Sequence, residues 1–490
     1  MNGNADNKNT GLRAPGALTV FSYVVAANNL VQLVFFYQWY ARGDPLGWAF
    51  LVLSIAVFLF PGRIRLFAAM LAASVVYYVS IMPVIPNHAM ADILIVLSIL
   101  SAAMIVLGKR LFSLAPLGRS DADAWFAKFA PVAGAIFTFV YYAIVLSKLN
   151  EGFFDLSISC LSMMHQDFME SHPIFGGLTL NFSSDFLLWV FIVVEVSIPL
   201  LLTIGRTRLL AMYIGVPFHV LLGLMGHWAF SSMMLAFYVL AAMPALLELL
   251  ESVADRLETV RRKLIPWAPS MLLFVGLNAA LLGTFFLGVK PIRIWLIWTV
   301  PLAAALLLAT LQSHYLNGPL YAPGSTAFWT WKPGWLWIML GLAVINSASP
   351  YIGFKTTTAV TMYSNLRTEG GKTNHFFMPN LGIFGFQDDL VEIVDSNHEA
   401  VRALRKAPAR FGFPGQEFDI TITWFELRRV VSGLRANDLE ITYIRNGERR
   451  VFRRGSPDNQ GADLDRPPPS LLAKLAYFRP VFKDKAYCLW

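Results

Sequence analysis

Long apolar segments separated by short polar connections occupy the chain up to about residue 350. At about 20 residues per crossing, this pattern predicts about eleven membrane-spanning helices, of which the second and the last are short. The predicted spans are 17–38, 46–61, 66–83, 90–108, 129–148, 185–204, 209–226, 229–250, 266–288, 294–312 and 334–350. Composition supports a polytopic membrane protein, because the 490 residues are 56% hydrophobic and only 14% charged.

Basic residues predict how these spans are oriented. Lys and Arg cluster in alternate connections, at 63–65, 109–119, 206–208 and 261–263. By the positive-inside rule, these connections and the N-terminal tail 1–16 are cytoplasmic. The same loops explain most of the net charge of +8, so the charge does not indicate nucleic-acid binding. An odd number of spans places the C-terminal region on the other side of the membrane.

The composition changes near Ser349, where charged residues become frequent. Alternating apolar and polar residues predict strands over Asp419–Trp424 and Leu439–Ile444. Asn446-Gly447 is typical of a two-residue type I′ turn and predicts a β-hairpin, and the polar, proline-rich stretch 456–470 is predicted to be a loop. The predicted fold class is therefore an all-α membrane bundle over 17–350 followed by a small, mostly-β extracytoplasmic domain over 351–490.

Four ionisable residues lie within or at the ends of the predicted spans: His88, Lys148, Glu195 and His219. Ionisable groups are rare in such segments and commonly functional. Lys148 ends the fifth span and has two interpretations, an anchor whose amine reaches the headgroups or a base at the mouth of a membrane cavity. His88 has a plain alternative as a solvated loop residue, and Glu195 and His219 as partners in interhelical hydrogen bonds.

Metal and nucleotide sites are not predicted. The sequence contains no tandem Cys pair, P-loop or HExxH motif. His165 and His172 have irregular spacing and no companion cysteine motif, so they do not indicate a metal centre.

Four local motifs carry a resemblance to a known family. They are Asn87-His88, YYAIVLSKLNEGFF around Lys148, VVEVSIPLLL around Glu195, and FHVLLGLMGHWAFSSMMLAFYVLAAMP from Phe218. Over residues 20–250 the chain resembles the horizontally transferred transmembrane (HTTM) domain family, which includes the vitamin K-dependent gamma-carboxylases. The stretch GFKTTTAVTMYSNLRTEGGKTNHFFMP resembles the extension of bacterial members, which implies a bacterial inner-membrane protein.

The resemblance implies a lyase-type chemistry with a reduced quinone, O2 and CO2. In the carboxylases a membrane-embedded base deprotonates a reduced naphthoquinone, whose reaction with O2 generates a strong base that removes a glutamate γ-proton, and CO2 then adds. The resemblance implies that Lys148 is the initiating base, that His88 assists it, and that Asn87, Glu195 and His219 line the quinone site. The quinone would be vitamin K hydroquinone or a menaquinol-like molecule.

The acceptor of the carboxyl group is left open by the sequence. The predicted C-terminal domain of about 140 residues is much smaller than the lumenal part of the animal carboxylases. The substrate is therefore an unidentified peptide or small molecule at the outer face, and the other expected partners are the quinone and the lipid bilayer.

Two other classes of function remain open. Glu195 and His219 would serve a transporter or proton relay equally well, although the sequence shows no inverted repeat. A membrane scaffold whose exported domain binds a partner would leave Lys148 without a chemical role.

The two cysteines and one glycine-containing stretch complete the predictions. Cys160 and Cys488 are both predicted to lie outside the cytoplasm, where they would form a disulfide in an oxidising compartment; the alternative is two unpaired thiols. The stretch TEGGKTNHFF from Thr368 is predicted to close over the cavity mouth, because Gly370-Gly371 permits a tight turn.

Overall fold

The computed structural model is mostly helical, with a small antiparallel sheet near the C-terminal end. It describes residues 15–35, 44–171, 184–264, 270–287, 289–318, 334–405, 419–456 and 462–488. The apolar helices up to residue 348 overlap all eleven predicted segments. Numbered in chain order together with two short helices, they are α1 (Ala17–Phe35), α2 (Pro45–Leu59), α3 (Ile64–Ile81), α4 (Asn87–Leu107), α5 (Arg119–Lys148), α6 (Glu151–Phe154), α7 (Cys160–Ser171), α8 (Ser184–Thr203), α9 (Leu210–Leu224), α10 (Trp228–Leu264), α11 (Ser270–Phe286), α12 (Pro291–Asn317) and α13 (Trp337–Ala348).

Six helices in these described ranges are long and apolar enough to cross a membrane. They are Ile64–Ile81, Asn87–Leu111, Arg119–Lys148, Asp185–Thr203, Trp228–Arg261 and Ile292–Asn317. The remaining apolar segments have only 10–17 residues, so helix length does not confirm the predicted count of about eleven spans. These segments are Ala17–Leu33, Pro45–Leu59, Leu210–Leu224, Met271–Thr284 and Trp337–Ala348. The six helices indicate a membrane protein, as predicted. The predicted tail 1–16 lies outside the described residues apart from its last two positions.

The chain forms two compact units. The first comprises residues 1–74, 96–135 and 200–336. Its interior is apolar and aromatic, with Phe21 fully buried against Phe67 at a ring-centroid distance of 6.2 Å. Small residues let its helices approach closely: a Cβ added at Gly223 of α9 would lie 2.0 Å from the Trp295 ring of α12.

The second unit comprises residues 75–95, 136–199 and 337–490. A disulfide joins Cys160, at the start of α7, to Cys488, across a sequence separation of 328 residues. This bond agrees with the sequence-based hypothesis and leaves no free cysteine in the chain. It ties the C-terminal end of the protein to the region that follows Lys148.

Loss of this disulfide is expected to destabilise the protein. A non-reducing proteolytic digest should yield one peptide linking Cys160 to Cys488. Because the bond closes a long loop, Cys488→Ser should lower the free energy of unfolding by about 2–5 kcal/mol. Reducing agent should destabilise the wild type but leave this variant unchanged. Two free thiols in the digest would contradict the bond.

The sheet has five antiparallel strands in the order β4-β3-β1-β2-β5. The strands are β1 (Leu390–Ser396), β2 (Ile420–Thr423), β3 (Glu440–Arg445), β4 (Glu448–Arg453) and β5 (Val481–Phe482), with short helices α14 (Glu399–Arg402), α15 (Trp424–Gly433) and α16 (Ser470–Leu475). The predicted hairpin is confirmed, since β3 and β4 are joined by Asn446 and Gly447 with φ of 54° and 78°. The hydrophobic core of the sheet includes the fully buried side chains of Val391, Ile441 and Phe452.

The region from residue 349 to 389 differs from the predicted mostly-β domain. It contains no strand, although all of it is described, and its one bridge pairs His375 with Asn150. Side-chain to backbone hydrogen bonds stabilise this segment instead. Gln387, for example, donates to Pro350 O and Thr368 O at 2.9 and 2.8 Å.

Candidate functional site

The candidate site is a buried ion pair between Lys148 and Glu195. Lys148 is the last residue of α5 and is only 3% exposed, although the sequence pattern allowed a solvent-reaching anchor. Its Nζ lies 2.5 Å from Glu195 Oε1 of α8. The two residues belong to the same compact unit. The anchor interpretation is therefore wrong, because the amine points to a carboxylate inside the protein and not to water.

Aromatic rings surround the amine. The Nζ atom of Lys148 lies 4.9 Å from the centroid of the Phe191 ring and 5.8 Å from that of Phe153. Phe191 is one helical turn before Glu195, so both side chains lie on the same face of α8. An ammonium group is attracted to such ring faces, and the rings keep water away from the ion pair.

The second carboxylate oxygen of Glu195 is the unusual atom of the site. Glu195 Oε2 is buried and has no hydrogen-bond partner among the described residues. A buried carboxylate oxygen without a donor costs free energy. A ligand hydroxyl or amide could remove that cost by donating a hydrogen bond to it.

The chain immediately after Lys148 is held by Asn150. The Oδ1 atom of Asn150 accepts from the Phe153 N–H at 3.0 Å and caps the short helix α6. Its Nδ2 donates to Ser147 O at 2.8 Å and to Ser364 O. Asn374 Nδ2 also donates to Asn150 Oδ1 at 3.2 Å. These bonds fix the orientation of the helix end that carries Lys148.

The TEGGKTNHFF stretch lies against the same helix end. Phe376 N–H donates to Leu149 O at 3.0 Å, and Glu151 N–H donates to Asn374 O at 3.0 Å. Gly370 and Gly371 both have φ of 72°, a left-handed conformation that favours glycine. The glycine pair forms the expected turn, and the stretch covers the end of α5.

His375 is the residue of this stretch that contacts α5 most directly. Its Nδ1 accepts from the N–H groups of Phe377 and Met378 at 3.0 and 2.9 Å. Since Nδ1 is an acceptor, Nε2 carries the proton and donates to Leu146 O at 2.8 Å. The Tyr351 ring packs edge-on against the imidazole, with centroids 5.5 Å apart. The neutral imidazole therefore fits these three bonds, whereas the imidazolium does not.

Acidification should weaken the three hydrogen bonds of the His375 ring. Burial lowers the pKa of His375 below its ordinary value of 6.5, and the bond to Leu146 O opposes that shift only in part. Neutral His375 therefore stabilises the fold fully above pH 6.5, and this stabilisation is lost as the pH falls below that value. Hydrogen exchange at Phe377 and Met378 should accelerate there relative to Gly382, whose amide donates to Asn380. His375→Gln should remove the difference, and equal pH profiles for all three amides would contradict the assignment.

His88 and Asn87 lie at the start of α4, in the same compact unit as Lys148. His88 is 8% exposed, so its alternative as a solvated loop residue is wrong. Asn87 Oδ1 accepts a hydrogen bond from the Thr358 backbone N–H. That bond attaches the 349–389 segment to α4 and uses a side-chain oxygen of a residue that was predicted to line the quinone site.

Asp92 and Lys355 are two further buried ionisable residues of this compact unit, and the sequence did not predict them. Asp92 follows His88 by one helical turn on the same face of α4 and is 8% exposed. Lys355 is 3% exposed and donates to Thr358 Oγ1 at 3.1 Å. Burial lowers the pKa of Lys355 to about 7. A carboxylate within an apolar helix was a visible signal for Asp92, whereas nothing in the sequence distinguished Lys355 from a surface lysine.

His219 is fully buried but belongs to the first compact unit. Its ring packs against Phe230 and Tyr238, with centroids 5.5 and 5.9 Å apart. The Ser231 hydroxyl donates to its backbone carbonyl at 2.5 Å. A cavity shared by His219 and Lys148 stays a prediction.

Metal ligands do not cluster in the described part of the chain, where no group of three or more His, Cys, Asp or Glu side chains is placed to hold an ion. His165 lies in α7, and His172 is outside the described residues. Comparisons of the chain with protein-family models, with curated proteins and with solved structures found no match. The chemistry of the site must therefore be argued from its own residues.

Proposed function

We propose that the protein is an integral membrane enzyme that uses a reduced quinone and O2 to generate a strong base and carboxylates, or oxidises, a substrate at the extracytoplasmic face. The motifs around Lys148, Glu195 and His219 resemble those of the vitamin K-dependent carboxylases. The observation that carries the proposal is the buried Lys148–Glu195 pair with an unpartnered carboxylate oxygen.

The residues of the site fit a hydroquinone ring. Glu195 Oε2 would supply an acceptor for a ring hydroxyl, and the Phe153 and Phe191 rings make the surroundings of the pair apolar. When bound, the reduced quinone would supply the oxidisable centre that reacts with O2. CO2 would be the second small co-substrate if carboxylation follows.

In this proposal Lys148 and Glu195 together accept and hold the proton of the ligand. A hydroxyl hydrogen-bonded to Glu195 Oε2 can pass its proton to the carboxylate while Lys148 Nζ stays hydrogen-bonded to Oε1, and the ammonium then stabilises the anion left on the ligand. If the pair instead holds a neutral amine and a carboxylic acid, Lys148 Nζ is the proton acceptor. In both cases the proton stays inside a site from which the phenyl rings exclude water.

Neighbouring elements position the Lys148–Glu195 pair. Asn150 and His375 fix the end of α5, so the Lys148 side chain approaches Glu195 from a defined direction. His88 and Asp92 are buried on α4 in the same compact unit, and the resemblance assigns His88 the assisting role. The proposed role of His219 rests on its motif alone.

The proposal includes a membrane topology. The five shorter apolar helices would cross the bilayer together with the six long ones, giving about eleven spans. The N-terminus and the basic connections would then be cytoplasmic, and residues 351–490 would face the periplasm of a bacterial inner membrane. The Cys160–Cys488 bond is consistent with an oxidising compartment.

Oxygen uptake tests the proposed activity. Purified protein in lipid nanodiscs should consume O2 when vitamin K hydroquinone or menaquinol is added, above the rate of empty nanodiscs. A transporter would instead carry protons into liposomes without consuming O2, and Glu195→Gln would abolish that flux. Proton flux without oxygen uptake would therefore reject the enzyme proposal.

A further inference from the structure

An uncharged loop outside the membrane helices exposes several large apolar side chains. This apolar loop (376–384), with the sequence FFMPNLGIF, directly follows His375. Its large side chains are 45–74% exposed: Phe376 49%, Phe377 74%, Leu381 57%, Ile383 67% and Phe384 45%. Soluble surfaces rarely display such a continuous apolar patch without a partner.

Both ends of the apolar loop are attached where apolar helices end. At its start, Phe376 N–H donates to Leu149 O, one residue beyond the end of α5. Near its other end, the N–H groups of Leu381 and Phe384 donate to Tyr351 O and Ile352 O, shortly after α13 ends. The loop therefore lies at the level at which these helices end.

An aromatic series continues the apolar loop onto the surface of a spanning helix. The Phe376 ring lies 5.7 Å from Phe154, whose ring lies 5.5 Å from Trp189 of α8. Trp189 is 58% exposed. It shares one face of α8 with other exposed apolar side chains, Phe186, Val190 and Val193. The loop and this helix face thus form one apolar surface.

Most backbone N–H groups of the apolar loop are already satisfied, which lowers the cost of entry into lipid. Six of its N–H groups donate within the protein, those of residues 376, 377, 378, 381, 382 and 384. Pro379 has no N–H to satisfy. A loop that faced water would not need this arrangement.

We propose that the apolar loop is an in-plane membrane anchor, inserted into the headgroup and upper acyl region of the leaflet nearest the Lys148 end of α5. The occupant of this surface is lipid, because the surface is uncharged and continues onto the exposed face of a spanning helix. Trp and Phe side chains are commonly found at this depth. The inference does not depend on the proposed enzymatic activity.

Site-directed fluorescence in proteoliposomes tests the anchor. Phe377→Cys and Ile383→Cys, each labelled with a polarity-sensitive dye in the full-length protein, should give blue-shifted emission quenched by nitroxides on lipid acyl chains. Depth analysis should place both dyes about 5–10 Å below the headgroup boundary. Arg449→Cys, on the exposed edge strand β4, is the matched control and should be quenched by aqueous iodide.

Two outcomes would overturn the anchor. Iodide quenching at residues 377 and 383 equal to that at 449 would show that the loop is in water. Blue-shifted emission that lipid nitroxides do not quench would show that the loop is covered by protein. Because both substituted side chains are exposed, the variants should fold, and an intact Cys160–Cys488 disulfide checks this.

Discussion

Lys148→Ala is expected to reduce hydroquinone-dependent oxygen uptake by about 10²–10⁴-fold, the usual contribution of a positioned acid or base. The amine lies 2.5 Å from Glu195 Oε1, and no other lysine or arginine side chain is paired with Glu195 among the described residues. Without Nζ, the carboxyl group loses the cation that stabilises it. The measurement is the initial rate of O2 consumption in nanodiscs at saturating hydroquinone.

Two matched variants separate chemistry from folding. Lys148→Arg keeps a cation beside Glu195 but cannot accept a proton at neutral pH, so it should fold. A slow rate would assign proton acceptance to Lys148 Nζ, and a rate near that of the wild type would assign it to Glu195 Oε2. Lys485→Ala removes a half-exposed lysine that pairs with Asp155 outside the site, and its rate should equal that of the wild type. Unchanged oxygen uptake in Lys148→Ala would remove Lys148 from the proposed mechanism.

Breaking the buried pair from either side is expected to destabilise the protein strongly. Lys148→Met leaves the Glu195 carboxylate buried without its cation, and Glu195→Leu leaves the amine buried without its anion. Each single substitution should cost about 3–5 kcal/mol in the free energy of unfolding. The double variant Lys148→Met/Glu195→Leu should recover most of that loss, because two apolar side chains fill the site.

A double-mutant cycle measured by reversible unfolding in mixed micelles tests this coupling. The exposed pair Arg453–Glu440, with side chains 63% and 46% exposed, is a suitable control in the same protein. Its coupling should be only about 0–1 kcal/mol, since water screens it. Additive losses in the Lys148 and Glu195 variants would contradict a coupled pair.

The predictable parts of the fold have strong local signals. The long apolar segments located each apolar helix, and Asn446-Gly447 located the hairpin because its residues accept positive φ. The 349–389 segment was not predictable in the same way. Its bonds come from scattered Asn, Gln and Thr side chains, such as Asn150, which donates to Ser364 O, and Gln387, and these leave no periodic pattern in the sequence.

The candidate site was predicted residue by residue, but its central contact was not. Lys148 ends its predicted span, whereas Glu195 lies near the middle of the predicted span 185–204, so the two residues were expected at different depths in the membrane. A helical side chain points back toward the N-terminus of its helix, so the long Lys148 side chain reaches the carboxylate. Burial of Lys355 and the tautomer of His375 arise from tertiary contacts alone.

Quinone content is the most direct test of the proposed site. Protein extracted from its native membrane into nanodiscs without detergent exchange should contain about one quinone per chain, measured by mass spectrometry of the extracted lipid. Glu195→Leu/Lys148→Met, which retains an apolar site without the acceptor oxygen, should contain much less. A wild-type protein with no more quinone than the surrounding membrane, or an equal content in the two proteins, would contradict the proposed quinone site.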